Sequence, residues 1–137
     1  MTQNKLSELN QYIGSETWTS AGPLFRNVIY SDGAVRLAEI AGAWWLLEAI
    51  ASHLTSNKKL KRAFADDPEL RNMHFWYLKK HGNGAILACR KDKGVKPAAK
   101  QVIPYTDFPF DETGEYVLYC GDDGPGTPHK IFLSSEY

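Results

Sequence analysis

The sequence predicts an α+β fold: N-terminal helices and one long central amphipathic helix (about 33–54), packed on a C-terminal antiparallel sheet of about five strands. Three observations carry this. Ser31 to Leu54, SDGAVRLAEIAGAWWLLEAIASHL, is the longest periodic stretch of the 137-residue chain. From Met73 the pattern changes to short β-branched and aromatic runs separated by glycine- and proline-bearing turns. The connections are short, so sequential antiparallel pairing is the default. Apolar content of 43% and four tryptophans supply core enough for one domain, helical over 1–72 and sheet over 73–137.

In the central stretch Asp32 is placed to cap the first turn, and its charge suits the helix dipole. At about 100° per residue, Leu37, Ile40, Ala43, Trp44, Leu47, Ile50, Ala51 and Leu54 share one face, with Trp44 at its reference angle. Gly42 costs about 1 kcal/mol relative to alanine. It marks either a break into two helices or, preferred here, a close approach or mild kink. Trp45 points about 100° away from Trp44 and needs a cover. The segment carrying Leu24, Phe25 and Ile29 is one candidate; a partner, including a second copy of the chain, is the other.

Before this helix, Leu6, Leu9 and Ile13 follow helical spacing, and residues 3–12 read as a short helix stopped by Gly14. Ser15 to Pro23 reads as a loop anchored by Trp18. Leu24 to Tyr30 suits either a helical turn or a short strand. After it, NKKLKRAFA (57–65) reads as a surface helix, and Asp67-Pro68-Glu69 opens another turn. Strands are expected at 73–80, 85–91, 99–104, 115–120 and 129–133. An Asn83-Gly84 hairpin turn joins the first two.

The net charge is zero, but its distribution is uneven. Residues 1–57 carry three Lys/Arg and five Asp/Glu, residues 58–100 twelve and four, and residues 101–137 one and seven. The middle third offers a basic face and the last third an acidic one, unless adjacent strands pair the two sets. Ile40 to Ala51 is too short and too interrupted to span a bilayer, and no secretory leader is recognisable. Cys89 and Cys120 read as buried free thiols, which fits a reducing cytoplasm, and the short apolar run leaves no membrane partner expected.

No catalytic residue and no cofactor is assigned. The four histidines lie at none of the zinc spacings, so no metal site is assigned either. The glycines match no phosphate loop, and Ser31-Asp32-Gly33 lacks the hydrolase elbow. His53 reads as a C-terminal partner of the helix dipole. Asp107, Asp111 and Glu112 sit among Tyr105, Phe108 and Phe110. They read as a solvated loop anchored by its aromatics, or as paired carboxylates for acid/base chemistry in a small hydrolase-type enzyme.

YSDGAVRLAEIAGAWWLLEAIASH, IPYTDFPFDE and the terminal LSSEY resemble an uncharacterised family of small bacterial proteins, often carried by phages, plasmids and other mobile elements. The likeness runs from Gln11 to Tyr137, departing at a longer 121–128 loop. It implies a cytoplasmic accessory protein acting on a host component, and transfers no catalytic residue. The expectation is therefore a non-catalytic protein that binds and modulates a host protein. Trp45 and Trp76 are its aromatic anchors, and Lys58, Lys59, Lys61, Arg62, Arg90, Lys91 and Lys93 its charged ones. The alternative is a nucleic-acid-binding module using the basic 58–100 region. There Phe75, Trp76 and Tyr77 would offer bases a sheet face, half of which alternation buries.

Overall fold

The computed structural model describes residues 5–14 and 17–137. Its strands are β1 (Trp18–Ser20), β2 (Val28–Ser31), β3 (Met73–His81), β4 (Gly84–Arg90), β5 (Ala99–Ile103), β6 (Glu115–Gly121) and β7 (His129–Leu133). Its helices are α1 (Asp32–Ala41), α2 (Trp44–Ser56), α3 (Lys58–Asp66) and α4 (Pro68–Asn72). Short 3₁₀ segments cover Lys5–Gln11, Pro23–Phe25 and Ser134–Glu136. Residues 3, 4, 15 and 16 of the expected first helix and loop lie outside the described residues.

The strands form one seven-stranded sheet in the order β1-β2-β7-β6-β3-β4-β5. The five expected strands are present and antiparallel to their neighbours in the C-terminal half. Two N-terminal strands extend the sheet, and β2 runs parallel to β7, so it is neither five-stranded nor purely antiparallel. Parallel pairing needs a long crossover. Here the whole chain between β2 and β7 supplies it, and no local pattern announces it. Both readings of 24–30 hold in part: Pro23–Phe25 is a 3₁₀ turn and Val28 begins the strand.

The central helix is broken. Gly42 adopts φ 60° and ψ 38°, and Ala43 N–H reaches back to Ala38 O at 2.9 Å, a left-handed glycine stop. A Cβ placed on Gly42 would meet nothing within 4 Å, so the preferred close approach is not what the glycine serves. The cap also differs: Ser31, not Asp32, accepts from the Ala34 amide.

The break re-phases the second helix. α2 buries Leu46, Leu47, Ile50, Ala51 and Leu54. Trp44, expected in the core, stands 42% exposed at the start of α2 beside Tyr30, with ring centroids 6.5 Å apart. Trp45 is half-buried against the core instead. α3 buries Leu60 and Phe64, its N-cap Asn57 accepting from the Leu60 amide.

One face of the sheet packs under the helices through His74, Trp76, Leu78, Leu87, Cys89, Leu118, Cys120, Ile131 and Leu133. Cys89 and Cys120 are free and buried there, and burial pushes the Cys89 thiol up to about 12.

The β3–β4 hairpin closes on Gly82 and Asn83, with His81 paired to Gly84. Gly82 (φ 59°) supplies the positive φ, whereas Asn83 and Gly84, the expected turn pair, have none. Gly84 is needed for space: a Cβ there would lie 1.9 Å from Ile103 O. Gly84→Ala is expected to cost about 1–3 kcal/mol in urea unfolding, because backbone rather than a flexible side chain must yield.

Candidate functional site

Strand alternation sends every second side chain to the face without helices. On β3 these are Phe75, Tyr77 and Lys79, on β6 Tyr119, on β7 Lys130 and Phe132. Register sets Phe75 opposite Tyr119, and Tyr119 opposite Phe132. The rings touch in sequence, Phe75 to Tyr119 at 4.8 Å edge-on and Tyr119 to Phe132 at 6.0 Å. Tyr137, 80% exposed, extends the row, stacked on Phe132 at 6.4 Å. With Tyr77 beside Phe75, these five aromatics form a continuous surface, half-buried in all but Tyr137.

The row ends in two depressions. Beyond Tyr77, a shallow cavity of about 460 Å³ is lined by Lys79, Arg90, Lys93 and Lys100, with Glu115 as its one carboxylate. Arg90 donates to Val95 O, which holds the 91–98 loop against the strand end. At the other end, a cavity of about 270 Å³ lies between Trp18, Phe132 and Tyr137. There Lys130 bonds Asp123 at 2.5 Å and caps the Trp18 ring at 5.3 Å.

The residues singled out from the sequence do not form one surface. Trp76 is 1% exposed, beneath the helices with His74 and His53, and cannot anchor a partner. Its even position on β3 puts it on the core face, opposite to Phe75 and Tyr77. Lys58, Lys59, Lys61 and Arg62 are exposed on α3, in the helical layer. Lys91 also turns that way, bonding Asp67 at 2.9 Å and approaching Glu69 at 3.4 Å. Arg90 and Lys93 reach the open face, where Lys79 and Lys100 join them. The basic segment is thus split between two layers, part on the helix α3 and part on the open side of the sheet.

Tyr119, Phe132 and Tyr137 lie beyond the basic segment in the chain, so composition by thirds missed them. Their common face becomes visible only once β6 and β7 are paired.

The acidic loop is held by its aromatics: Phe108 is buried against Phe110 and Tyr116. Asp111 accepts from both the amide and the hydroxyl of Thr113, which lowers its pKa. His53 bridges two elements at the helix end. Asn57 Nδ2 faces its Nδ1 at 2.9 Å, so Nε2–H donates to Gln101 Oε1 at 2.8 Å and ties α2 to β5. Among the described residues no three His, Cys, Asp or Glu side chains are placed to hold a metal ion. No helix among them is long and apolar enough to cross a membrane.

No curated protein and no solved structure matches the chain. Residues 3–137 match a family of unknown function, DUF6876, and every described element of the sheet and its helical layer falls within that span. The chain belongs to this family.

Proposed function

We propose that the protein is a non-catalytic binding protein whose working surface is the open sheet face, and that its partner is single-stranded nucleic acid. The supporting observation is the run of five aromatics leading into a cavity with four cations and one carboxylate. Flat rings stack on aromatic faces whatever the base, and the cations meet phosphates, so the surface suits an anionic polymer with flat side groups. Within the accessory role in a bacterial mobile element that the resemblance implies, the target is a cytoplasmic host nucleic acid.

The test is fluorescence anisotropy with labelled single-stranded oligonucleotides. With the four cations engaged, log affinity should fall against log salt with a slope of about −3. Tyr77→Leu should weaken binding about 5- to 150-fold through lost stacking. Lys79→Ala with Lys100→Ala should flatten the salt slope. No binding at 50 mM salt, or a Tyr77→Leu variant as tight as the parent, would end the nucleic-acid reading.

A second reading, docking of a host protein, draws support from exposed apolar groups in the other layer, Trp44 at 42% and Leu24 at 80%. It predicts that a host protein enriched from a bacterial lysate is lost with Trp44→Ala.

A further inference from the structure

A separate cavity of about 340 Å³ opens on the helical side, where the ends of α2 and α4 meet the start of β7. Its polar lining comes from Thr55 in the last turn of α2, Lys61 on α3, Arg71 on α4, His129 at the head of β7 and Asn27 just before β2, whose carbonyl accepts from the His129 amide at 2.8 Å. Phe64 supplies an apolar wall, its ring 5.9 Å from that of His129.

Two of these groups are buried without a hydrogen-bond partner among the described residues, Thr55 Oγ1 and His129 Nδ1. His129 as a whole is only 7% exposed. An unmet buried polar atom is unfavourable, and a ligand supplying an acceptor would relieve it. Arg71 spends its Nε on Asp122 at 2.5 Å, and its terminal nitrogens have no ion-pair partner among the described residues. Lys61 is exposed and in no ion pair among the described residues. The balance of fixed charge is therefore one excess cation, with a hydroxyl and an imidazole beside it.

We infer that this cavity is a binding site for a small phosphomonoester, its phosphate held by Lys61, Arg71, Thr55 and His129 and its body against Phe64. Donors converging from four elements suit three terminal phosphate oxygens better than the two of a carboxylate. The site is independent of the sheet face, which lies on the opposite side of the sheet. Burial above all, and then the Arg71 and Lys61 charges, hold the His129 pKa below its usual value against the pull of Asp122. Bound phosphate would raise it, so the imidazole is also the reporter.

The test is NMR of the histidine rings of the full chain at pH 7, titrated with phenyl phosphate, inorganic phosphate and benzoate at matched ionic strength. The expected result is a saturable shift of His129, with phenyl phosphate at least about 5-fold tighter than either other probe. Thr55→Val and Lys61→Ala, both conservative of the core, should each weaken it about 10-fold, while Lys79→Ala and Lys100→Ala on the sheet face leave it unchanged. Absence of a saturable His129 shift, equal affinity for benzoate, or undiminished binding in both Thr55→Val and Lys61→Ala would overturn the assignment.

Discussion

Glu136→Ala should destabilise the protein by about 3–5 kcal/mol, the larger of the two effects expected on stability. Glu136 is 9% exposed and ties the end of the chain to the start of α1. Its Oε1 accepts from Ser31 Oγ at 2.5 Å and from the Leu133 amide at 2.9 Å, and its Oε2 accepts from the Gly33 amide at 3.1 Å. Ser31 Oγ in turn accepts from Ala34 N at 3.0 Å. One carboxylate thus serves a helix N-terminus and the end of β7, where its charge also suits the helix dipole.

Removing it leaves three buried donors unmet, at about 1–3 kcal/mol each before relaxation. Glu136→Gln keeps the volume but presents an NH₂ where an acceptor is needed, and should cost about 2 kcal/mol. Ser31→Ala should cost about 1–2 kcal/mol through the lost cap. The double variant Ser31→Ala with Glu136→Ala should fall short of the sum by at least about 1 kcal/mol, because both act on one network. Urea unfolding measures them all; additive values would mean that the carboxylate and the hydroxyl act separately. Gly33 belongs to the same contact, since a Cβ there would sit 2.6 Å from Glu136 Oε1 and Leu133 Cδ1.

The second large effect is a loss of stability in mild acid. His74 is fully buried, its Nδ1–H donating to Leu70 O at 2.9 Å and its Nε2 without a partner among the described residues. Phe64 and Trp76 flank the ring at 5.0 and 6.1 Å. Burial drives its pKa down from 6.5 to about 3, opposed by the Leu70 carbonyl and assisted by His129. The unfolded chain takes up this proton below about pH 6.5 and the folded chain does not until about pH 3. Stability is therefore intact above about pH 6.5 and is lost as pH falls through that window, by about 1.4 kcal/mol per unit.

Between about pH 6.5 and 4.5 this amounts to about 2.7 kcal/mol, or roughly 10 °C in Tm. His129, also lowered, adds in the same direction. His74→Phe should remove most of the slope while leaving the neutral-pH fold in place, readable by thermal unfolding at a series of pH values. A Tm that holds steady from about pH 7 to 4.5 would show that the buried imidazole accepts its proton without cost.

Much of the local architecture was legible because it depends on neighbours in the chain. The five later strands keep their limits to within a residue or so, since each is a short β-rich run bounded by turn residues. α3 and α4 begin after Asn57 and Asp67 because short polar side chains cap the amides two or three positions on. The break at Gly42 was visible as a glycine, but whether it stops a helix or admits a neighbour depends on its surroundings. At this position only open space lies around it, and so the left-handed stop prevails.

The open face is partly legible: Phe75 and Tyr77 read as stacking groups, and alternation buries half of the aromatic set. Trp76 is in that half. Which half faced solvent was not legible, because a strand read alone has two equivalent faces until a helix covers one.

By itself, the sequence determined most of the elements, though neither β1 nor the division of the central helix: capped helices in the first half, alternating strands in the second, and two thiols in apolar runs, all set by forces acting over a few residues. Only the tertiary structure decided that β2 lies parallel to β7, that YSDG meets LSSEY through Glu136, and that rings from three strands form one surface beside four cations. Each of these joins residues far apart in the chain, and such contacts are fixed by the packing of the whole sheet rather than by any local preference.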